Sequence, residues 1–188
     1  MKKLINIILM ILVILTLGCS KDAKEAQVTK PNAMKIEDMN IGGIYLGQPM
    51  SEVTAKLGKP VKSEPGAPKG IVYLFNKNGA KIWIKASSSD SSGDVMSIGI
   101  TGDSKLTTKT GIKYGSSVDE IKKVYGDPTR DYRYPQDHPF YKEGIKRVVW
   151  FEKEIEKTKA GHYHRLHFSF ALDGSDKVFG MRCWEEWD

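Results

Sequence analysis

The side chains whose types and spacing best suit chemistry are three histidines in one short run, His162, His164 and His167. On an extended strand, residues two apart share a face, so His162 and His164 would offer both imidazoles to one side, a spacing able to grip a metal ion. His167 would point to the other face, and no cysteine or carboxylate lies close in sequence to complete a ligand set. The pair is therefore a weak metal candidate with solvated strand surface as its alternative, and no metal or cofactor is assigned. Glu52 and Glu120 occupy matching places in two similar segments. Paired carboxylates can serve acid–base catalysis, but each stands in the first turn of an expected helix, where a negative charge is favoured by the helix dipole. Cys183 lies within an apolar strand-like run and is expected to be a buried small hydrophobe rather than a nucleophile. The chain has no Gly-rich phosphate loop with its lysine, no G-x-S-x-G turn and no H-E-x-x-H helix. No catalytic residue is assigned, and a non-enzymatic protein is expected.

The other cysteine has a different chemistry. Lys2 and Lys3 precede an apolar run from Leu4 to Leu17, and Gly18 then Cys19 closes it. That run suits a signal peptide and is shorter than the roughly 20 residues a spanning helix needs. A small residue before cysteine at this point is the lipoprotein cleavage pattern, although Thr16 stands where leucine is usual. Residues 1–18 are thus expected to be a signal peptide and Cys19 the lipidated N-terminus. Acyl chains contribute about 0.8 kcal/mol per buried methylene, so two or three of them anchor a protein firmly. With Cys19 acylated, Cys183 has no partner in the chain, since these are the two cysteines. The fold must then rest on its hydrophobic core.

Residues 19–40 are polar and poor in large apolar side chains, a lipidated tether with a reach of about 25 Å. The formal charge of +6 includes Lys2 and Lys3, and the remaining basic residues are scattered among acids. There is no basic stripe interleaved with aromatics, so nucleic acid is not expected as a partner.

The elements that must position any site repeat along the chain. GIYLGQPMSEVTAKLGKP from Gly43 and GIKYGSSVDEIKKVYGDP from Gly111 align without gaps at an offset of 68. Gly43/Gly111, Ile44/Ile112, Gly47/Gly115, Glu52/Glu120, Gly58/Gly126 and Pro60/Pro128 match, and internal repeats are the first thing to weigh in a fold. Met50, Val53 and Leu57 fall on one helical stripe, as do Val118, Ile121 and Tyr125. Ser117 with Glu120 forms a capping-box pair, and Pro49 is expected at the first helical position. Gly58 and Gly126 terminate the helices, with proline two places on. Alternating apolar runs follow at 71–75, 80–86 and 95–100, then at 146–152, 164–172 and 177–184. The expected class is α+β: a tandem repeat of two units, 41–102 and 103–188, each a helix followed by an antiparallel three-stranded meander, with the helices on one sheet face.

The segment 129–145 is expected to be a long loop. It holds Tyr132, Arg133, Tyr134, His138, Phe140 and Tyr141, a composition common in binding hot spots. These side chains either form a partner-binding surface or fold back over the sheet edge. Trp184 is expected in the core, and Trp187, next to the end of the sequence, is a further candidate for partner contact.

The repeated pattern G-I-x-x-G-x-x-x-x-E-[VI]-x-x-x-x-G-x-P, followed by aromatic strands, resembles the SmpA/OmlA lipoprotein family. The tandem arrangement looks like that of β-lactamase inhibitor proteins. The resemblance covers most of 41–184 and implies a non-enzymatic module that binds protein through a sheet face or its loops. The residues that carry it are caps, turns and core, so no inhibitory contact is transferred. The expectation is a lipid-anchored protein on the extracytoplasmic side of a bacterial membrane that binds or scaffolds an unidentified envelope protein. The alternative is an inhibitor of an extracellular hydrolase.

Overall fold

The computed structural model describes residues 34–89, 92–103, 105–157 and 163–187. Cys19, His162 and most of the expected tether lie outside the described residues. A single 3-10 turn, Ile36–Asp38, precedes two short strands, β1 (Asn40–Ile41) and β2 (Ile44–Tyr45). Helix α1 (Met50–Leu57) follows, then strands β3 (Lys62–Pro65), β4 (Ile71–Lys77), β5 (Ala80–Ala86) and β6 (Val95–Thr101). Next come helix α2 (Val118–Tyr125), strand β7 (Arg130–Arg133) and the single-turn helix α3 (Pro139–Lys142). Strands β8 (Arg147–Lys157), β9 (Tyr163–Leu172) and β10 (Val178–Trp187) complete the fold.

This architecture corrects the expected one. The protein is mostly β, and the larger sheet is a single antiparallel array of eight strands in the order β3-β4-β5-β6-β10-β9-β8-β7. It is not two helix-plus-three-stranded-meander units. Strands β6 and β10 pair directly, with Gly99 opposite Arg182 and Ile98 opposite Cys183, and this pair makes one continuous sheet. The sheet also gains an edge strand at each end. Segments 62–65 and 130–133 pair with β4 and β8. All eight of their residues are exposed. With neither face buried they show no apolar alternation, which is why they resemble loops in sequence.

Local chemistry sets the helix ends. In α2 the Ser117 Oγ accepts from the Glu120 N–H at 3.2 Å, and the Glu120 carboxylate accepts from the Ser117 N–H at 2.6 Å. That reciprocal pairing satisfies two otherwise orphaned donors, and the bonds the carboxylate accepts from the Ser117 N–H and hydroxyl hold the Glu120 carboxyl below its ordinary value. In α1, Pro49 is the N-cap in extended conformation, one place earlier than expected, and the helix starts at Met50. Glu52 accepts instead from the Gln48 side-chain amide at 3.1 Å. Gly58 and Gly126 stop the two helices at φ +88° and +84° with ψ near 180°, a backbone region that only glycine enters readily.

Strand alternation puts one side of the sheet in the core. Ile82 and Ile84 of β5, Ile98 and Ile100 of β6, Val149 and Phe151 of β8, Phe168 and Phe170 of β9, and Met181 and Cys183 of β10 are all buried. Met50 and Val53 of α1 and Ile121 and Tyr125 of α2 belong to the same cluster. Tyr125 is the junction on the β8–β9 side, with its ring 5.4 Å from Phe151, 5.5 Å from Phe168 and 5.7 Å from Phe170. Its hydroxyl finds the Thr110 hydroxyl at 2.7 Å, the partner a buried phenol requires. Burial pushes its pKa up to about 12.

Candidate functional site

The opposite face of the same sheet carries the residues that alternate with the core. Strand pairing sets them in rows. One row runs Leu74, Trp83, Gly99, Arg182, Ser169, Trp150, Arg130 across seven neighbouring strands. The next runs Lys81, Thr101, Gly180, Ala171, Val148, Tyr132. A third, on the other side of the first, runs Lys85, Ser97, Trp184, His167, Glu152. Apart from Arg182, large side chains therefore stand toward the rim, while Gly99, Thr101, Gly180, Ser169 and Ala171 keep the centre low. Trp83 and Trp150 are four strand steps apart, about 19 Å at ordinary strand spacing.

This pattern creates a hollow of about 940 Å³, lined by Trp83, Trp150, Trp184, Arg182, Lys81 and the small central residues. Segment 134–145 and Phe179 wall one side, contributing Tyr134, Phe140, Glu143 and Ile145. Size, apolar lining and a few convergent polar groups are the features of a binding cleft. Arg182 stands near its centre. The guanidinium carbon lies 4.9 Å from the Trp184 ring centroid, and Nε reaches the Ser97 hydroxyl at 3.3 Å. Among the described residues no carboxylate lies within ion-pair distance of it.

Beside the hollow, on the β7–β8–β9–β10 side, is a more polar pocket of about 340 Å³ lined by Arg130, Trp150, Glu152, Arg165, His167, Trp184 and Glu186. His167 is buried and stacks flat on Trp184, with ring centroids 4.7 Å apart and planes 6° from parallel. Its Nε2 lies 2.7 Å from Glu186 Oε2 but off the direction a hydrogen bond needs. Its Nδ1 lies 3.6 Å from Glu152 Oε1, which also pairs with Arg130 at 3.1 Å. His167 thus packs against one face of Trp184, which forms part of the rim of the hollow.

A second charged cluster serves the frame. Arg147 is buried on the helix side, donating from Nε to Asp131 Oδ1 at 2.7 Å and from Nη1 to Asp176 Oδ2 at 2.8 Å. Arg133 reaches the same Asp176 oxygen at 2.9 Å. The Arg147 hydrogen bonds lower the Asp131 pKa against an opposing desolvation. At Asp176, desolvation raises the pKa, but the bonds from Arg133 and Arg147 outweigh it and the net direction is down. Edge strand β7 and the β9–β10 turn are pinned by these bonds.

No family model and no curated protein matches the sequence. Three solved structures resemble the chain distantly. A cysteine-rich secretory protein of Staphylococcus aureus is 14% identical with TM-score 0.47, over 74% of this chain and 44% of that one. This chain thus spans less than half the length of that protein. A DUF4309 family protein of Bacillus subtilis is 11% identical with TM-score 0.42, over 77% and 83%. A candidate beta-lactamase inhibitor protein of Streptococcus mutans is 13% identical with TM-score 0.27, over 76% and 83%. At these values the likenesses carry no functional argument, and the SmpA/OmlA resemblance finds no family match.

Of the residues singled out from sequence, the structure gathers Tyr132, Tyr134, His138 and Phe140 into one ring cluster and gives Arg133, Tyr141 and Trp187 other places. Tyr134 and Phe140 line the hollow. Tyr134 stacks on His138 at 4.4 Å and meets Tyr132 edge-on at 4.9 Å and Phe140 at 5.5 Å. Tyr132 and Phe140 are each 46% exposed. His138 caps α3, its Nδ1 accepting from the Phe140 N–H at 3.2 Å. Arg133 is committed to Asp176. Tyr141 carries the Lys146 ammonium 3.4 Å above its ring. The Trp187 backbone pairs with His164 at the end of β10, and the Trp187 side chain lies outside the description. His164 is buried, with Nε2 3.3 Å from Glu185 Oε2. Strand alternation puts His164 and His167 on opposite faces. Among the described residues no group of three His, Cys, Asp or Glu side chains is placed to hold a metal.

Sequence reasoning missed Trp83, Trp150, Arg182 and Trp184 as a set, and Trp184 is on the open face rather than in the core. The signal was present. Trp83 lies between buried Ile82 and Ile84, Trp150 between buried Val149 and Phe151, and Arg182 and Trp184 flank buried Cys183. Period-two alternation assigns all four to the outer face.

Proposed function

We propose that this protein is a non-enzymatic binding module of the bacterial envelope, tethered by a lipid on Cys19, which takes hold of a partner protein through the hollow on the sheet face opposite helices α1 and α2. One observation carries the reading: three tryptophans rim a floor of small residues, with an arginine near its centre, on the sheet face turned away from helices α1 and α2. Tryptophan, tyrosine and arginine are the residues that dominate binding energy at protein interfaces, and here they sit on rigid strands that bind without much loss of entropy. Met34 and Met39 belong to the core, so the tether would be residues 19–33, holding this face clear of the lipid headgroups.

The test is site-specific cross-linking in intact cells. A photoreactive residue in place of Lys81, at the hollow, should yield a discrete adduct with an extracytoplasmic protein. The same residue in place of Lys123, on the solvent side of helix α2, should not. The Lys81 adduct should vanish in the double variant Trp83→Ala, Trp150→Ala. Adducts of equal yield from both positions, or adducts indifferent to the tryptophans, would refute the hollow as the binding face. The anchor is tested separately: Cys19→Ser should abolish incorporation of labelled palmitate and release the protein from membranes. A hydrolase recovered in the adduct would identify the partner as an enzyme and turn the reading toward inhibition.

A further inference from the structure

The proposal that the hollow binds protein leaves the partner's chemistry open, and Arg182 narrows it. We infer that the segment seated in the hollow is a protruding loop with an aspartate or glutamate at its tip and large apolar residues beside it, the carboxylate pairing with Arg182. The inference rests on the hollow being the binding face.

The argument begins with cost. Arg182 is exposed in the free protein, where water reaches its guanidinium. Any partner that covers the hollow strips that water, and a guanidinium buried without an anion is strongly unfavourable. Among the described residues no carboxylate stands within ion-pair distance of Arg182: Nε is engaged by a neutral hydroxyl, Ser97, and the guanidinium carbon lies over the neutral Trp184 ring. Among the described residues neither Nη group has a protein partner, so both can be satisfied by a ligand. A planar fork of donors is matched best by a carboxylate, which accepts two parallel hydrogen bonds.

Shape agrees with charge. The residues paired directly with Arg182 across the sheet are Gly99 on one side and Ser169 on the other. The Cα of Gly99 is bare, and a Cβ there would come within 3.5 Å of the Trp83 ring and 3.9 Å of the Arg182 stem. The floor beside the guanidinium is therefore lower than the tryptophan rims, a recess that a flat partner would leave empty. A loop tip can reach it. The rims then present Trp83, Trp150 and Phe140 to the residues beside the tip, which calls for apolar side chains there. Lys81 on the same face adds a second positive charge, against Glu143 in the opposite wall.

The experiment is a selection from a displayed library of randomised, disulfide-closed loops, run against the full-length chain in detergent. Wild type, Trp150→Ala, Arg182→Gln and Arg182→Glu are used in parallel, each first shown to melt cooperatively near the wild-type temperature. Loops enriched on wild type and lost on Trp150→Ala are those in the hollow. These should carry one acidic residue next to an aromatic or large aliphatic one. Their affinity should fall at least tenfold on Arg182→Gln, and selection on Arg182→Glu should yield loops with lysine or arginine at the tip. Loops that need Trp150 but show no acidic preference, or that bind Arg182→Gln as well as wild type, would overturn this inference and leave the hollow as a binding face. No enrichment at all, or enrichment indifferent to Trp150, would overturn the hollow reading and this inference with it.

Discussion

Phe151 and Trp150 are neighbours in the chain and face opposite sides of the sheet, so their replacement by alanine should have unequal effects on stability. Phe151 is 4% exposed and lies 5.4 Å from Tyr125 and 6.0 Å from Phe170. Removing a buried phenylalanine costs about 3–5 kcal/mol, from lost transfer energy and from the cavity left behind. That is a large share of the roughly 5–15 kcal/mol of a typical domain. At about 2–4 °C per kcal/mol for a domain of this size, the melting temperature should drop by about 6–20 °C. Trp150 stands on the open face beside Ser169 and Arg130, and cross-strand contacts of that kind contribute about 1 kcal/mol or less. Urea unfolding followed by circular dichroism measures both, with the slope of the transition as a check that the unfolded state is unchanged. Losses of equal size would refute the assignment of faces and, with it, the hollow as an exposed site. A Phe151→Ala loss below about 1 kcal/mol would refute the packing of Tyr125 against β8.

Three further outcomes are expected. Tyr125 keeps its proton in the fold up to about pH 12, while an unfolded tyrosine loses it near pH 10. Stability should therefore be full below pH 10 and fall as pH rises from 10 toward 12, by roughly 2–3 kcal/mol from this group. Denaturant titrations in Tyr125→Phe should lack that part of the decline; an unchanged alkaline slope would refute it. Asp131 and Asp176 have depressed pKa values, so their contribution is present above about pH 4 and lost as pH falls below it. Arg147→Ala should destabilise at neutral pH, by about 2–3 kcal/mol given the partial exposure of both partners. It should also flatten the acid limb of the stability curve, and an acid limb as steep as wild type would argue against the pairing. Ser117→Ala removes the cap of α2 and should cost about 1 kcal/mol, measured by thermal unfolding, whereas Ser117→Asp should restore most of it.

What was legible in the sequence is what a few consecutive residues decide among themselves. The stripe of Val118, Ile121 and Tyr125, the Ser117–Glu120 reciprocal cap and the stops at Gly58 and Gly126 need no distant partner, because capping and amphipathic periodicity act within one or two turns. The outer-face position of Trp83 and Trp150 is local too, set by alternation with buried neighbours. Strand order is not local. Lys62–Pro65 and Arg130–Arg133 become strands only because β4 and β8 offer them an unpaired edge, and their own exposed residues carry no trace of it. The pairing of Arg182 with Gly99 joins residues far apart in the chain; hydrogen bonding between backbones is indifferent to side-chain identity, so no motif announces it. That pairing replaces two meanders with one sheet and sets an arginine over a floor of small residues between two tryptophans. Side-chain direction was thus a matter of sequence, while the identity of each side chain's neighbours, and so the hollow itself, was decided by which strands met.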